Sequence, residues 1–387
     1  MVVELNKNRE NRAVLIGVIK NEFNEFSPEE TLNELELLTE TLGIKVTYKV
    51  LKKLREVNPK YYIGKGMLDE ITLIARKENA NYLIFDETLS YSQIKNISEF
   101  SNLYVLDRPH LIIEIFEKRA KTNEAKIQVE LARLKMELPA IIGIGRSLDQ
   151  QMGIVGIRAG RGEKLIELKR RAIEKRINSL NKELKKIVKR REIRRKLREK
   201  SQIPTVSIVG YTNSGKSTLF NALANEETYT ENMLFATLDT LIRKIYLQKY
   251  EKEILIIDTV GFIQKLPPLL ISSFKSTLEE INYSDLIIHL IDASNPSYKK
   301  HIITVNEILK EILYKDIKTI NVYNKIDLLK DYQIEKIKRE DENGILISAL
   351  KKINIDELKD RIGIELFEKT NILNYWFFSF ECGWKLS

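Results

Sequence analysis

Three short segments of this 387-residue chain combine residue types that could hold a phosphorylated nucleotide. The first is Gly210-Tyr211-Thr212-Asn213-Ser214-Gly215-Lys216-Ser217, which fits G-x-x-x-x-G-K-[ST] at every position. Its glycines let successive backbone N–H groups turn toward phosphate oxygens, and a helix following it adds a positive end. Lys216 is placed to bridge the β- and γ-phosphates, and the Ser217 hydroxyl to bind Mg2+. The second segment is Asp258-Thr259-Val260-Gly261. Its carboxylate could hold Mg2+ through water, and the Gly261 N–H could contact the γ-phosphate and register its loss. Taken alone, D-x-x-G also describes an ordinary strand-ending turn. The third is Asn324-Lys325-Ile326-Asp327. A carboxylate there can accept from guanine N1–H and its exocyclic amine, a donor pair that adenine lacks. Asn324 would meet N7, and the Lys325 stem would lie along the base.

Two further segments complete the set. Ser348-Ala349-Leu350 follows another apolar run and is expected to support the base through a backbone N–H. Thr237, within Phe235-Ala236-Thr237-Leu238-Asp239, is the candidate switch threonine, whose hydroxyl would join the Mg2+ shell only while the γ-phosphate is present. A turn threonine is the plainer alternative. Lys216, Thr237 and Gly261 are thus the expected catalytic set, and Ser217 and Thr237 the expected metal ligands. Four motifs in this order, each after a strand, point to a Mg2+-dependent enzyme that hydrolyses GTP to GDP. One residue type is missing. Phe262 follows D-T-V-G, where Ras-like enzymes place a water-orienting glutamine. An aromatic hydrocarbon ring cannot polarise water, so turnover is expected to be slow without a group from a partner or a rearranged loop.

These loops need a sheet to hold them. Thr205 to Val209 reads as a strand entering the phosphate loop, with later strands at Ile254 to Ile257, Leu286 to Ile291, Thr319 to Tyr323 and Ile345 to Ile347. Helical stretches separate them, giving a doubly wound α/β domain over residues 203–370. Residues 1–120 alternate strands (Arg12 to Ile19, Lys45 to Val50, Tyr82 to Phe85, Tyr104 to Leu106) with helices. One helix is headed by Ser27-Pro28 with Glu30 in a capping pattern, and another lies near Leu68 to Glu78. A small α/β subdomain with a parallel sheet is expected there. Between the two, residues 121–202 read as a helical hairpin. Asn123 to Met136 is stopped by Pro139, a glycine-rich loop carries Gly143 to Gly162, and a helix runs from Glu163 to Lys200. Ile173, Ile177, Leu180, Leu184 and Ile187 form its seam against the first helix. Residues 371–387 form an aromatic tail.

Composition narrows the setting. Hydrophobic residues make up 43%, enough for real cores, and the single cysteine, Cys382, excludes an internal disulfide. The polar N-terminus lacks a signal-like core, and no apolar run reaches 18 residues, so a cytoplasmic chain without membrane spans is expected. Residues 164–200 hold 17 basic and 5 acidic groups, whereas the remainder is near neutral with 47 and 50. Such a segment attracts phosphate backbones in a salt-dependent way, although a solvated helix face is the alternative.

The sequence resembles the HflX family of ribosome-associated GTPases, in the TRAFAC class among the Obg-HflX-like proteins. The resemblance rests on GYTNSGKSTLFN, LFATLD, DTVGFIQKLP and STLEE in the C-terminal half. In the N-terminal half it rests on YIGKG (Tyr62 to Gly66), Leu106-Asp107-Arg108, IFEKRAKTNEAKIQVELARL (Ile115 to Leu134), Leu138-Pro139 and the glycine-rich stretch. It spans roughly residues 12 to 370. It implies an N-terminal α/β subdomain, a long helical hairpin and a Ras-like P-loop domain. It also implies binding to the large ribosomal subunit and its rRNA, with the N-terminal region near the peptidyl transferase centre, and a role in splitting or rescuing stalled ribosomes. A monomer is expected. Assistance in subunit assembly, or an RNA-binding protein with a structural nucleotide site, are the rival readings. Arg158 and Arg161 of the glycine-rich stretch could reach RNA. Two positions depart from the family. Gly156-Ile-Arg158-Ala-Gly160-Arg-Gly162-Glu163 replaces G-x-R-G-P-G-E, and Thr240 stands for a proline. Many members carry a further C-terminal α/β domain where this chain has its aromatic tail.

Overall fold

The computed structural model of the chain describes residues 10–19, 26–151, 159–200, 203–224, 234–235, 238 and 240–368. It falls into two compact units, residues 1–187 with 267–273 and residues 188–266 with 274–387.

The first unit opens with β1 (Arg12–Ile19), α1 (Pro28–Thr41), β2 (Lys45–Lys53), α2 (Lys65–Lys77), β3 (Tyr82–Phe85), α3 (Tyr91–Ser101), β4 (Tyr104–Asp107) and α4 (Arg108–Arg119). The strands form a four-stranded parallel sheet in the order β2-β1-β3-β4. Six successive residues of β1 are buried, as in a strand covered on both faces. The capping box at Ser27 forms as expected, with Ser27 Oγ accepting from the Glu30 N–H and Glu30 returning a bond to the Ser27 N–H. Val14, Ile16, Leu68, Ile71, Leu83, Phe85 and Ile97 pack into one core on a face of this sheet.

Two long helices follow, α5 (Asn123–Gln151) and α6 (Ala159–Lys200). They pair through Ile127 and Leu131 against Leu180, with Leu134, Ile177, Leu184 and Ile187 at the margins. Arg176 spans the pair to Glu130 with two bonds of 2.7 and 2.8 Å. Two expectations are corrected here. Pro139 lies inside α5 and does not end it. Its side chain is exposed, where water can satisfy the carbonyl that loses its helical partner. The expected glycine-rich loop is also helical over its described parts. Gly143 and Gly145 belong to α5, and Gly160, Arg161 and Gly162 to α6, since glycine weakens a helix by only about 1 kcal/mol and does not by itself end one. Arg158 lies outside the described residues.

The second unit contains β5 (Thr205–Gly210), α7 (Lys216–Ala224), β6 (Leu241–Leu247), β7 (Lys252–Asp258), β8 (Leu286–Asp292), α9 (Tyr298–Ile312), β9 (Thr319–Asn324), α10 (Asp331–Glu340), β10 (Ile345–Leu346) and α11 (Ile355–Gly363). Helix α8 (Pro268–Leu278) intervenes between β7 and β8. The sheet order is β10-β9-β8-β5-β7-β6, parallel except for β6, which runs antiparallel to β7. Strand β6 is an addition to the expected set. It lies at the sheet edge with most of its residues exposed, so its apolar alternation is weak. Val206, Ile208, Leu219, Ile256, Ile288, Leu290 and Val322 are the centre of the core. The chain turns from one side of β5 to the other between β7 and β8, which places a crevice at the carboxyl end of β5. No helix among the described residues is long and apolar enough to cross a membrane. The aromatic tail 371–387 lies outside the described residues.

Candidate nucleotide site

The carboxyl ends of β5, β7 and β9 bring the phosphate loop, the Asp258 segment and the Asn324 segment together. Strand β5 ends at Gly210 and α7 begins at Lys216, so Lys216, Ser217 and Thr218 form the first turn of the helix at the positive end of its dipole. Gly215 has φ +94°, and a Cβ there would lie 2.4 Å from Asn324 Nδ2, so only glycine fits. Asn213 also takes a positive φ, 60°, which asparagine tolerates. Lys216 is buried and donates to the carbonyls of Gly210 (3.1 Å) and Tyr211 (2.7 Å). Burial, with the charge of Lys325 acting the same way and Asp258 opposing, lowers its pKa to about 8.

Ser217 Oγ donates to Asp258 Oδ2 at 2.9 Å, and Asp258 is fully buried at the end of β7. A hydroxyl and a carboxylate converging in this way form a hard oxygen donor set, which fits Mg2+. Among the described residues no group of three or more His, Cys, Asp or Glu side chains could hold a metal ion. Thr259 Oγ1 donates to the Ile208 carbonyl and Val260 is buried, which fixes the turn leading to Gly261. Beyond that turn the chain pairs with the phosphate loop itself. The Phe262 N–H donates to the Gly210 carbonyl (3.1 Å), and the Thr212 N–H to the Phe262 carbonyl (2.7 Å). Nothing in the sequence motifs announces this bridge. It presses Gly261 so closely against the loop that a Cβ there would meet Lys216 Nζ at 2.9 Å and Thr212 Cα at 3.1 Å. The Phe262 ring is buried, as an apolar side chain should be. Tyr211 holds the same strip from the other side. Its hydroxyl accepts from the Gln264 N–H, and its ring stacks on His301 at 3.8 Å.

The base-reading segment is joined to the phosphate loop by one side chain. Asn324 Nδ2 donates to the Ser214 carbonyl (2.8 Å), and its Oδ1 accepts from the Ala349 N–H (2.9 Å). The Ala349 N–H bonds Asn324, and the Ser348 N–H bonds the Ile353 carbonyl, because buried amides take the nearest acceptor. Ser348 is buried and Leu350 is exposed. Lys325, at φ 66°, reaches Asp292 at 2.6 Å, which fixes its stem. Ile326 N–H bonds the Ile347 carbonyl, and the Asp327 carboxylate is largely covered, with Lys351 Nζ 3.8 Å away. Phe235 and Leu238 are buried, while Ala236, Thr237 and Asp239 lie outside the described residues. Among the basic residues of α6, Arg191 Nε is 3.5 Å from the buried Glu280, so this arginine is engaged within the unit and is not part of a solvated face.

Three family models match in series: "GTP-binding GTPase N-terminal" over residues 29–117, "GTP-binding GTPase Middle Region" over 119–198 and "50S ribosome-binding GTPase" over 205–325. The GTPase HflX of Caldanaerobacter subterraneus subsp. tengcongensis is 42% identical over 97% of this chain and 85% of its own length. The GTPase HflX of Escherichia coli K12 is 38% identical over 86% of this chain and 76% of its own. A GTP-binding protein of Sulfolobus solfataricus solved with GDP is 29% identical, covering 92% of this chain and 98% of that one, at a TM-score of 0.48. With motif, sheet position and matched length in agreement, this chain belongs to the HflX family of GTPases.

Proposed function

We propose that the chain hydrolyses Mg2+-bound GTP while docked on the large ribosomal subunit, and that this turnover serves the splitting or rescue of stalled ribosomes. The observation that carries the reading is the convergence of the phosphate loop, Asp258, Gly261 and Asn324 on one crevice, in a chain whose residues 205–325 match a 50S ribosome-binding GTPase model. Lys216 neutralises charge on the β- and γ-phosphates, and the first-turn amides of α7 add donors. Ser217 and Asp258 would hold the metal. When bound, Mg2+ supplies charge neutralisation on the phosphate oxygens. Thr237 completes that shell in the triphosphate state, and Gly261 registers the γ-phosphate through its N–H. Asp327 accepts from the guanine edge, and the Lys325 stem lies along the base. The basic α6 face meets rRNA. The protein acts as a monomer on cytoplasmic ribosomes.

Single-turnover hydrolysis with and without large subunits tests the reading, alongside sedimentation of intact ribosomes mixed with chain and GTP. Turnover should rise with large subunits, and the intact particle should divide. An unchanged rate with every ribosomal particle would remove the ribosomal part. Accumulation of subunit precursors on depletion, with intact particles left whole, would favour the assembly reading.

A further inference from the structure

Phe262 leaves the position after D-x-x-G without a polar group, so the attacking water needs another partner. Thr212, the third residue of the phosphate loop, meets the requirements. The residue is buried, and its Oγ1 is buried without a hydrogen-bond partner among the described residues. Leaving such a hydroxyl unbonded is costly, so an orphan of this kind marks a place that water or a ligand fills. Its location is defined by Gly261. Both Cα and Cγ2 of Thr212 lie 3.1 Å from where a Gly261 Cβ would stand, and Lys216 Nζ lies 2.9 Å from the same point. Gly261 and Lys216 are the two groups assigned to the γ-phosphate, so Thr212 borders the space in front of it. The two-bond bridge to Phe262 holds the threonine backbone there. Rotation about χ1 exchanges methyl and hydroxyl, so the oxygen can take the methyl position beside Gly261. Ser214 carries the other orphaned hydroxyl of the loop, but its Oγ lies 3.0 Å from the Gly210 Cβ position, on the inner side of the turn.

We infer that Thr212 is the residue that orients the hydrolytic water in this enzyme, in the role that a glutamine after D-x-x-G fills elsewhere; the inference rests on the nucleotide-site reading above. The hydroxyl oxygen accepts a hydrogen bond from the water, which leaves a lone pair of the water oxygen pointing at the γ-phosphorus. The water oxygen then bonds to phosphorus as the bond to the β–γ bridging oxygen breaks. GDP leaves with that electron pair, and the water proton ends on the released phosphate. Threonine does not keep the proton. It fixes direction, which a buried aromatic ring cannot do.

The test uses the full chain without ribosomes, so that no partner group can substitute. Thr212→Val removes the hydroxyl and keeps the branched shape, and Thr212→Ser keeps the hydroxyl. Single-turnover GTP hydrolysis should slow about 10- to 100-fold in Thr212→Val and stay within about threefold in Thr212→Ser. Affinities for fluorescent GDP and a non-hydrolysable GTP analogue should stay within about threefold in both, while GDP–aluminium fluoride binding weakens only in Thr212→Val. Wild-type turnover in Thr212→Val overturns the inference. So does loss of ground-state nucleotide affinity in step with turnover, which would make the hydroxyl a binding or structural group. Lys216→Ala is the control for the underlying site. If that variant binds and hydrolyses GTP normally, the phosphate-loop reading fails first and takes this one with it.

Discussion

In the N-terminal unit, the polar residues at the carboxyl ends of the strands are tied to one another. Arg108 is buried between Asp86, at 2.5 Å, and Glu34. Asp107 accepts from the Leu89 and His110 N–H groups and holds His110 Nδ1 at 2.5 Å. In the GTPase unit, the equivalent positions carry Gly210, Asp258 and Asn324, together with two buried hydroxyls, of Thr212 and Ser214, that have no partner among the described residues. Both sheets follow the same parallel logic, yet the first pairs its strand-end charges among themselves, whereas the second leaves two hydroxyls without a partner among the described residues. A strand-end aspartate therefore marks a site only when its neighbours leave it something to do.

The contrast can be broken in four places. The largest effect is expected at Asp327. Asp327→Asn replaces an acceptor with a donor at the base edge and should shift preference from GTP toward XTP by about 10⁴-fold, since a polar pocket rejects a mismatched edge strongly. Competition binding of the two nucleotides measures it, and retained GTP preference removes the base-reading role. Next is Arg108→Ala. It leaves two carboxylates in the N-terminal unit without their cation and should cost about 3–5 kcal/mol of that unit's stability. Nucleotide affinity should stay unchanged. Denaturant unfolding followed by a probe in each unit separates the two, and a fall in nucleotide affinity would mean that the Arg108 ion pairs also support the nucleotide site.

The histidines should set the units against each other as pH falls. Burial, aided by Lys216, lowers the His289 pKa to about 4. Its neutral form is then favoured by folding above pH 6.5, and that stability is lost as pH falls toward 4. The loss is about 2 kcal/mol by pH 5. For His110, burial opposes the charged ring, but the Asp107 bond and charge outweigh it and raise the pKa. That contribution is fully present below the unfolded pKa and fades as pH rises through the folded one. Thermal unfolding at pH 7.5 and pH 5 should show His289→Asn flattening the acid-side loss and His110→Asn steepening it. The smallest effect concerns Lys216, which is cationic only below about pH 8 before ligand arrives. GTP binding at higher pH must recruit a proton, so affinity should fall by up to about tenfold per pH unit above 8. Calorimetry at pH 8.5 in two buffers of different ionisation enthalpy should report that uptake.

The phosphate loop, Asp258 and Asn324 were legible because each motif is short and its spacing is dictated by backbone geometry. Strands such as Arg12–Ile19 and Tyr82–Phe85 were legible because both faces are apolar. What stayed hidden depends on partners distant in sequence. The Thr212–Phe262 bridge is backbone to backbone and leaves no side-chain signature. Pro139 reads as a stop because local propensity says so, whereas α5 runs on to Gln151 with the proline on its exposed side, where a lost helical bond can be made to water. Strand β6 reads poorly because an exposed edge carries charge where a central strand carries valine and isoleucine.

Asn324 gives the crevice a mechanical property. A single amide holds the phosphate loop at Ser214 and the Ser348-Ala349 turn at Ala349. The two loops are consequently clasps that share a rivet: displacing the Asn324 amide would loosen both at once. One side chain thus ties two loops that lie 110 and 25 residues from it in sequence into a single mechanical unit.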